Sequence, residues 1–262
     1  MKDLIVFSVG GNRYAMNIEN IQRIIQVEAL TNIPNAHPLI DGMMSYEDKV
    51  IKVLSFRKLI GMQSYSSELG KHFISLRETH EKWMKELTLA IEDGLEFTKT
   101  FDPHICDLGK WIDSFTAYDD HVVSVLKNLV EYHKQLHVTG GLAYEIRLED
   151  KPKAVDILRN ELEGVFQKTM GALNLFINEL DIVADSLQKL LIYDSEGALF
   201  AIKVDTIEDI AHIKEDELIN SDNDNSNEYL QLEGILDLDS VLINVIKSVS
   251  LPNERRDNVD NI

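Results

Sequence analysis

The hydrophobic period of this chain changes twice along its length, and that change constrains the fold more than any other feature. Near the N-terminus the apolar residues come in short runs, Leu4–Val9, Arg13–Ile18 and Lys49–Phe56, punctuated by Gly10-Gly11, Pro34, Pro38 and Gly42. Runs of this length between turn residues read as strands. The same texture returns at Lys189–Tyr193, Leu199–Val204 and Ser240–Ile246. Between them, from about Leu69 to Ser186, the spacing is helical. Trp83, Leu87, Ala90 and Ile91 fall on one face, as do Val122, Val125, Leu126, Leu129 and Val130, and again Val155, Leu158, Leu162, Val165 and Phe166. Leu173 through Leu187 continue the last of these helices. Breaks are expected at Asp93-Gly94, Asp102-Pro103, Asp119-Asp120, Gly140-Gly141 and Asp150 to Pro152, where the proline suits a helix start. The pattern predicts a β-domain interrupted by a helical insert, an arrangement tolerated where the host chain ends lie close together.

The two β-regions share a faint repeat. Gly11 is followed by Tyr14-Ala15-Met16-Asn17-Ile18, and Gly197, at the same offset, by Phe200-Ala201-Ile202-Lys203-Val204. Gly42 precedes Val50-Ile51-Lys52-Val53-Leu54 by eight residues, and Gly234 precedes Leu242-Ile243-Asn244-Val245-Ile246 by eight. The two glycines of a copy are 31 residues apart in the first copy and 37 in the second, and the polar stretch Asn220–Glu228 reads as the lengthened loop. Two unrelated β-meanders would share part of this spacing.

Bulk properties exclude several classes. With 26 Lys and Arg against 45 Asp and Glu, the net charge of −19 disfavours nucleic acid and anionic lipid as partners. No apolar run approaches the roughly 20 residues that span a bilayer, and no secretory leader is expected from the first residues. A single cysteine suits a reducing, cytoplasmic compartment.

That cysteine, Cys106, cannot form a disulfide within the chain, so any chemistry it has is that of a thiolate. His133 and His137 are four residues apart, which puts both imidazoles on one face of a helix. With His80 they make one thiolate and three imidazoles, a donor set that suits tetrahedral Zn²⁺ with no open position for a hydrolytic water. Gly109 permits close packing beside them, and Trp83 and Trp111 are candidates to wall the site. Composition alone also allows four unconnected residues, since H-x-x-x-H is common on helices and a lone cysteine is often a small buried hydrophobe.

The pattern H-x-x-W at His80–Trp83, C-x-L-G-x-W at Cys106–Trp111 and H-x-x-x-H at His133–His137 resembles the chemoreceptor zinc-binding (CZB) domain over roughly residues 70–183. That resemblance implies a four-helix bundle with His80, Cys106, His133 and His137 as zinc ligands, acting as a sensor of zinc or of oxidation at the bound cysteine. The flanks resemble the CheW-like chemotaxis coupling domain. The stretches that carry this are V-F-S-V-G-G-N-R-Y-A-M-N-I-E-N-I-Q-R-I, I-P-N-A-H-P-L-I-D-G, L-L-I-Y-D-S-E-G-A-L-F-A-I-K-V-D-T-I and G-I-L-D-L-D-S-V-L-I-N-V-I. The resemblance implies an α+β protein: two small five-stranded β-barrels, formed by residues 1–66 and 186–252, with the bundle of 70–183 inserted and 253–262 a disordered tail. It also implies a non-catalytic adaptor that bridges the cytoplasmic tip of chemoreceptors to a histidine kinase, and it allows a homodimer.

Two positions depart from the CheW-like pattern. Arg23 stands where that family usually carries an acidic residue, and Glu47-Asp48 where it carries Arg-Gly. The inverted signs mark Arg23 and Glu47 as candidate partner-binding residues, or as solvated surface charges. Other readings of the ligand set are a hydrolytic metal site, an iron-binding bundle and a purely structural zinc. The chain has no H-E-x-x-H, nucleophile or phosphate-loop motif, and its E-x-x-H instances do not combine into a di-iron pattern.

Overall fold

The computed structural model describes residues 1–27, 30–116, 120–219, 227–238 and 240–252. The tail 253–262, and the expected loop Asn220–Glu228 apart from its last two residues, lie outside the described residues. The chain divides into two compact units, one made of residues 1–65 with 187–262 and the other of residues 66–186.

The first unit holds two sheets. Its strands are β1 (Lys2–Val9), β2 (Asn12–Asn17), β3 (Ile21–Gln26), β4 (Ile40–Tyr46) and β5 (Lys49–Ser55), then β6 (Lys189–Ser195), β7 (Ala198–Val204), β8 (Thr206–Ile213), β9 (Leu218–Ile219), β10 (Leu230–Leu238) and β11 (Val241–Val249). A single helical turn, α1 (Phe56–Leu59), follows β5. One sheet runs β8-β1-β2-β11-β10-β9 and the other β3-β6-β7-β5-β4. Each sheet therefore joins the first hairpin of one sequence copy to the later strands of the other.

The repeat is borne out at the level of single residues. Two of the joins are parallel pairings, and they use equivalent positions: Val245 opposite Ala15 and Val53 opposite Ala201. The glycines match as well. A Cβ on Gly42 would lie 2.8 Å from the Thr31 carbonyl oxygen, and one on Gly234 would lie 2.8 Å from that of Ile219. In both copies the glycine sits at a register shift of its strand, where a neighbouring backbone closes in.

β1 and β6 are buried over most of their length because both faces are covered. Ile5, Phe7 and Val9 join Leu191, Tyr193, Phe200 and Ile202 in a core shared by the two sheets. Leu4 and Val6 instead pack with Ala15, Leu236, Ile243 and Val245 of their own sheet. Burial on both faces explains the unbroken apolar runs in the sequence.

The expected five-stranded barrels are not observed. The sheets have six and five strands, and among the described residues their end strands, β8 with β9 and β3 with β4, are not hydrogen-bonded to each other. The physical reason lies at one end of each sheet. Among the described residues β9 has two residues, and its counterpart is a single bridge between Thr31 and Met43, so no described ladder carries the pairing around.

The second unit is helical, with α2 (Tyr65–Glu92) and α7 (Leu180–Leu187) entering and leaving it. Between these lie α3 (Asp107–Ser114), α4 (Asp120–Ile146), α5 (Lys151–Ile157) and α6 (Glu163–Asn178), with a π-helical stretch, Leu158–Leu162, joining the last two. Asp150 caps α5, its side chain accepting from Lys153 N–H, with Pro152 in the first turn as expected. The break expected at Gly140-Gly141 is absent. α4 runs through both glycines, and Gly140 serves packing, since a Cβ there would lie 2.5 Å from the Trp83 ring. No helix of the described residues is long and apolar enough to cross a membrane.

Candidate metal centre

Helical periodicity delivers the three histidines. On α2 the buried stripe is Leu69, Gly70, Phe73, Leu76, His80, Trp83, Leu87, Ala90 and Ile91, so His80 occupies a core position. On α4 the stripe includes Leu129, His133, Leu136, His137 and Gly140. All three imidazoles are at most 2% exposed. Cys106 arrives differently. It is the N-cap of α3, with extended backbone, and its sulfur accepts a hydrogen bond from Gly109 N–H at 3.3 Å. A Cβ on Gly109 would overlap the Pro103 carbonyl, so the glycine is what lets this cap close. Cys106 as a residue is half-buried.

The four side chains converge. One ligand atom from each of His80, Cys106, His133 and His137 lies within 4.8 Å of all the others, a group that could hold a metal ion. His80 Nε2 is 3.3 Å from His133 Nε2, and Cys106 Sγ is 3.2 Å from His133 Nε2 and 3.8 Å from His80 Nε2. Zinc–ligand bonds of about 2.0–2.3 Å in a tetrahedron imply edges of roughly 3.3–3.6 Å. The observed spacings lie on that scale.

Hydrogen bonding fits a cation at the centre. His80 Nδ1 lies 2.9 Å from the Leu76 carbonyl, which can only accept, so Nδ1 carries the proton and Nε2 turns its lone pair inward. Both ring nitrogens of His137 are buried without a hydrogen-bond partner. Such orphaned polar atoms are costly unless something else satisfies them.

Electrostatics agree. Burial pushes the imidazoles below their usual range: His133 to about 2, helped by His137 and His80, and His137 to about 4, helped by His80 and opposed by the Thr100 carbonyl and Asp102. His80 is lowered by burial, against the Leu76 carbonyl and Asp107. Burial raises the Cys106 thiol, while the N–H groups of Gly109 and Leu108 work the other way. Each of these shifts favours the neutral form, imidazole for the three histidines and thiol for Cys106.

Of the two tryptophans expected to wall the site, only Trp83 does so. Its ring centroid is 5.1 Å from that of His137. Trp111 packs instead with Phe73, Phe115 and Phe176, and among the described residues it has no ring contact with a site imidazole. Arg23 and Glu47 are both exposed, Arg23 on β3 opposite Ile192 and Glu47 in the β4–β5 turn with φ of 52°. No ion pair joins them. Their strands stand at opposite ends of the five-stranded sheet order.

The CheW-like domain family matches residues 3–84, and the chemoreceptor zinc-binding domain family matches residues 80–144. Residues 3–84 are thus similar to the CheW-like domain and residues 80–144 to the CZB domain, each over less than half of the chain. The CZB match spans all four converging residues, and zinc is the metal that domain binds. Among solved structures, one that is similar is the scaffolding protein TtCheW from Thermoanaerobacter tengcongensis, at 12% identity over 94% of this chain and 84% of that one, with a TM-score of 0.43. No protein of established function matches the chain by sequence.

Proposed function

We propose that this chain is a non-catalytic cytoplasmic adaptor that couples chemoreceptors to a histidine kinase, and that the zinc state of its insert adjusts how strongly it docks. In this reading residues 1–66 and 186–252 form the CheW-like domain, 70–183 form an inserted four-helix CZB bundle, and His80, Cys106, His133 and His137 hold one Zn²⁺. The convergence of these four donor atoms within 4.8 Å carries the proposal. Four protein ligands leave no position for a reacting water, which favours a sensing or structural ion over a catalytic one.

Exposure supports sensing over a purely structural role. His80, His133 and His137 are buried while Cys106 as a residue is half-buried, which makes the oxidisable ligand the one nearest solvent. Oxidation to a sulfenate removes one ligand of four. With no second cysteine in the chain, restoring the thiol needs an external one. Zinc state can bias docking only through a free-energy difference between two arrangements, typically about 1–3 kcal/mol.

Partner surfaces are part of the same proposal. Arg23 and Glu47, exposed and inverted in sign relative to the CheW-like pattern, are assigned to a partner-facing surface that has diverged. The deciding experiment measures metal content and then binding to reconstituted receptor–kinase complexes. One zinc per chain, with weaker binding by the zinc-free and Cys106→Ala forms, supports the adaptor. Equal binding by all forms reduces the zinc to a structural ion, and paired iron would overturn the site assignment.

A further inference from the structure

Trp83 touches three parts of the metal centre at once. It lies on α2, three residues after His80. Its ring rests against His137 of α4. Its indole N–H donates to the Thr100 carbonyl at 3.1 Å, in the segment that leads to Cys106. Each contact has its own device. Gly140, within one turn of His137, lacks the side chain that would otherwise occupy the space of the Trp83 ring. Phe97 and Phe101 pack edge-on against the indole at 5.7 and 6.0 Å between centroids.

The Thr100 bond reaches the sulfur because the intervening segment is internally tied. Thr100 Oγ1 accepts from Asp102 N–H at 2.9 Å, and Asp102 Oδ1 accepts from His104 N–H at 2.9 Å. The Asp102 carbonyl accepts from Ile105 N–H at 3.3 Å, and the Pro103 carbonyl lies 3.5 Å from Cys106 Sγ. Fixing Thr100 thus fixes the approach of Cys106. His137 makes no hydrogen bond of ordinary geometry, and two groups set against its ring are the Trp83 indole and the Thr100 carbonyl to which that indole donates.

We propose that Trp83 is a positioning residue of the metal centre, holding the His137 imidazole and the Cys106-bearing segment at the spacing the ion requires. The inference rests on the four-ligand zinc reading above. Groups of this kind around a metal typically change its affinity by about 10–100-fold when removed.

The test compares the full-length wild type with Trp83→Phe, Gly140→Ala, the double variant and His137→Ala. Zinc affinity is read by chelator competition, the ligand-field bands by cobalt(II) substitution, and the metal-free fold by circular dichroism and thermal midpoint. Trp83→Phe keeps a ring in the Gly140 gap but loses the N–H. It is expected to bind zinc about 10-fold more weakly, with altered cobalt bands and an unchanged metal-free midpoint. Gly140→Ala puts a Cβ into the space of the indole, displaces the ring from its seat against His137 and weakens binding further, and in the double variant the smaller ring relieves part of that loss.

Wild-type affinity and cobalt bands in Trp83→Phe would overturn the role. So would a loss of affinity explained by an equal fall in metal-free stability, or a double variant with strictly additive losses. His137→Ala isolates the underlying reading. If it binds zinc like the wild type, the ligand set is wrong; if it loses zinc while Trp83→Phe does not, only the role of Trp83 fails.

Discussion

Arg57 and Asp205, 148 residues apart in sequence, form a buried fork in the sheet unit: Arg57 Nε donates to Oδ1 at 2.8 Å and Nη2 to Oδ2 at 2.6 Å. The same carboxylate accepts from Gly10 N–H at 2.8 Å and from Gln188 Nε2 at 2.9 Å. Arg57 also donates from Nη1 to the Gln63 carbonyl at 3.4 Å and lies over the Tyr65 ring. One carboxylate thereby ties together the segment that leads into the insert and the segment that follows it. Planar, bidentate geometry is what an Arg supplies and a Lys does not.

Removing one partner of that pair leaves a buried charge without compensation. Asp205→Ala is expected to destabilise the sheet unit by about 3–5 kcal/mol. Urea denaturation, with amide exchange to assign the loss to β1 and β7, checks this. A change under about 1 kcal/mol would contradict the description.

Zinc binding near pH 7 should release about one proton per ion. The histidines of the metal-free site are already neutral, with His133 at about 2 and His137 at about 4, while the Cys106 thiol is raised and still protonated. Calorimetric titrations in buffers of different ionisation enthalpy count the protons. Release of two or more would mean that some imidazoles start charged.

Metal-free protein should lose stability as the medium is acidified. Unfolded histidines take up protons near pH 6.5, whereas folded His137 and His133 do so only near 4 and 2. Between those limits the unfolded chain binds more protons, so the contribution is complete above about pH 6.5 and fades as pH falls toward 4 and below. Thermal melts in chelator across this range test the sign, and His133→Gln should flatten the slope.

Cys106 has two separable roles, ligand and N-cap. Cys106→Ser keeps a good capping oxygen for Gly109 N–H but loses the thiolate, so zinc binding should fall with little change in metal-free stability. Cys106→Ala should lose both, with about 1 kcal/mol from the cap. Melts and chelator competition on the pair separate the contributions.

The equivalent glycines offer a check on the repeat. Gly42→Ala and Gly234→Ala each press a Cβ on a neighbouring carbonyl, so both should cost about 1–3 kcal/mol, and by similar amounts. Denaturant midpoints of the two variants should move together.

Residue type made the metal centre legible in advance. A single thiol and helically spaced imidazoles carry their chemistry wherever the chain folds. The orienting shell was less visible, because the Leu76 and Thr100 carbonyls are backbone groups that every residue carries. Trp83 was legible only as an aromatic near a ligand, and Trp111 looked the same although it packs against phenylalanines. Gly140 was misread as a break, since its use is to admit a ring from another helix. Among the strands, β3, β4, β8, β9 and β10 were not legible. β3 and β8 lie at sheet ends, are largely exposed, and so lack the continuous apolar runs of β1 and β6. β9 has two residues, and the apolar residues of β4 and β10 are interrupted at Gly42 and Gly234.

The sequence by itself determined which segments are strands and which are helices where burial is strong, the presence of two β-copies, and the donor set that selects the metal. Those are local properties of composition and period. Only the tertiary structure decided that the copies exchange hairpins, that the sheets end without closing, and that Arg57 finds Asp205. Strand partners are chosen by long-range pairing, and Ala15 and Ala201 offer equivalent edges to equivalent partners. No local signal distinguishes pairing within a copy from pairing between copies. That choice is made when the whole unit packs.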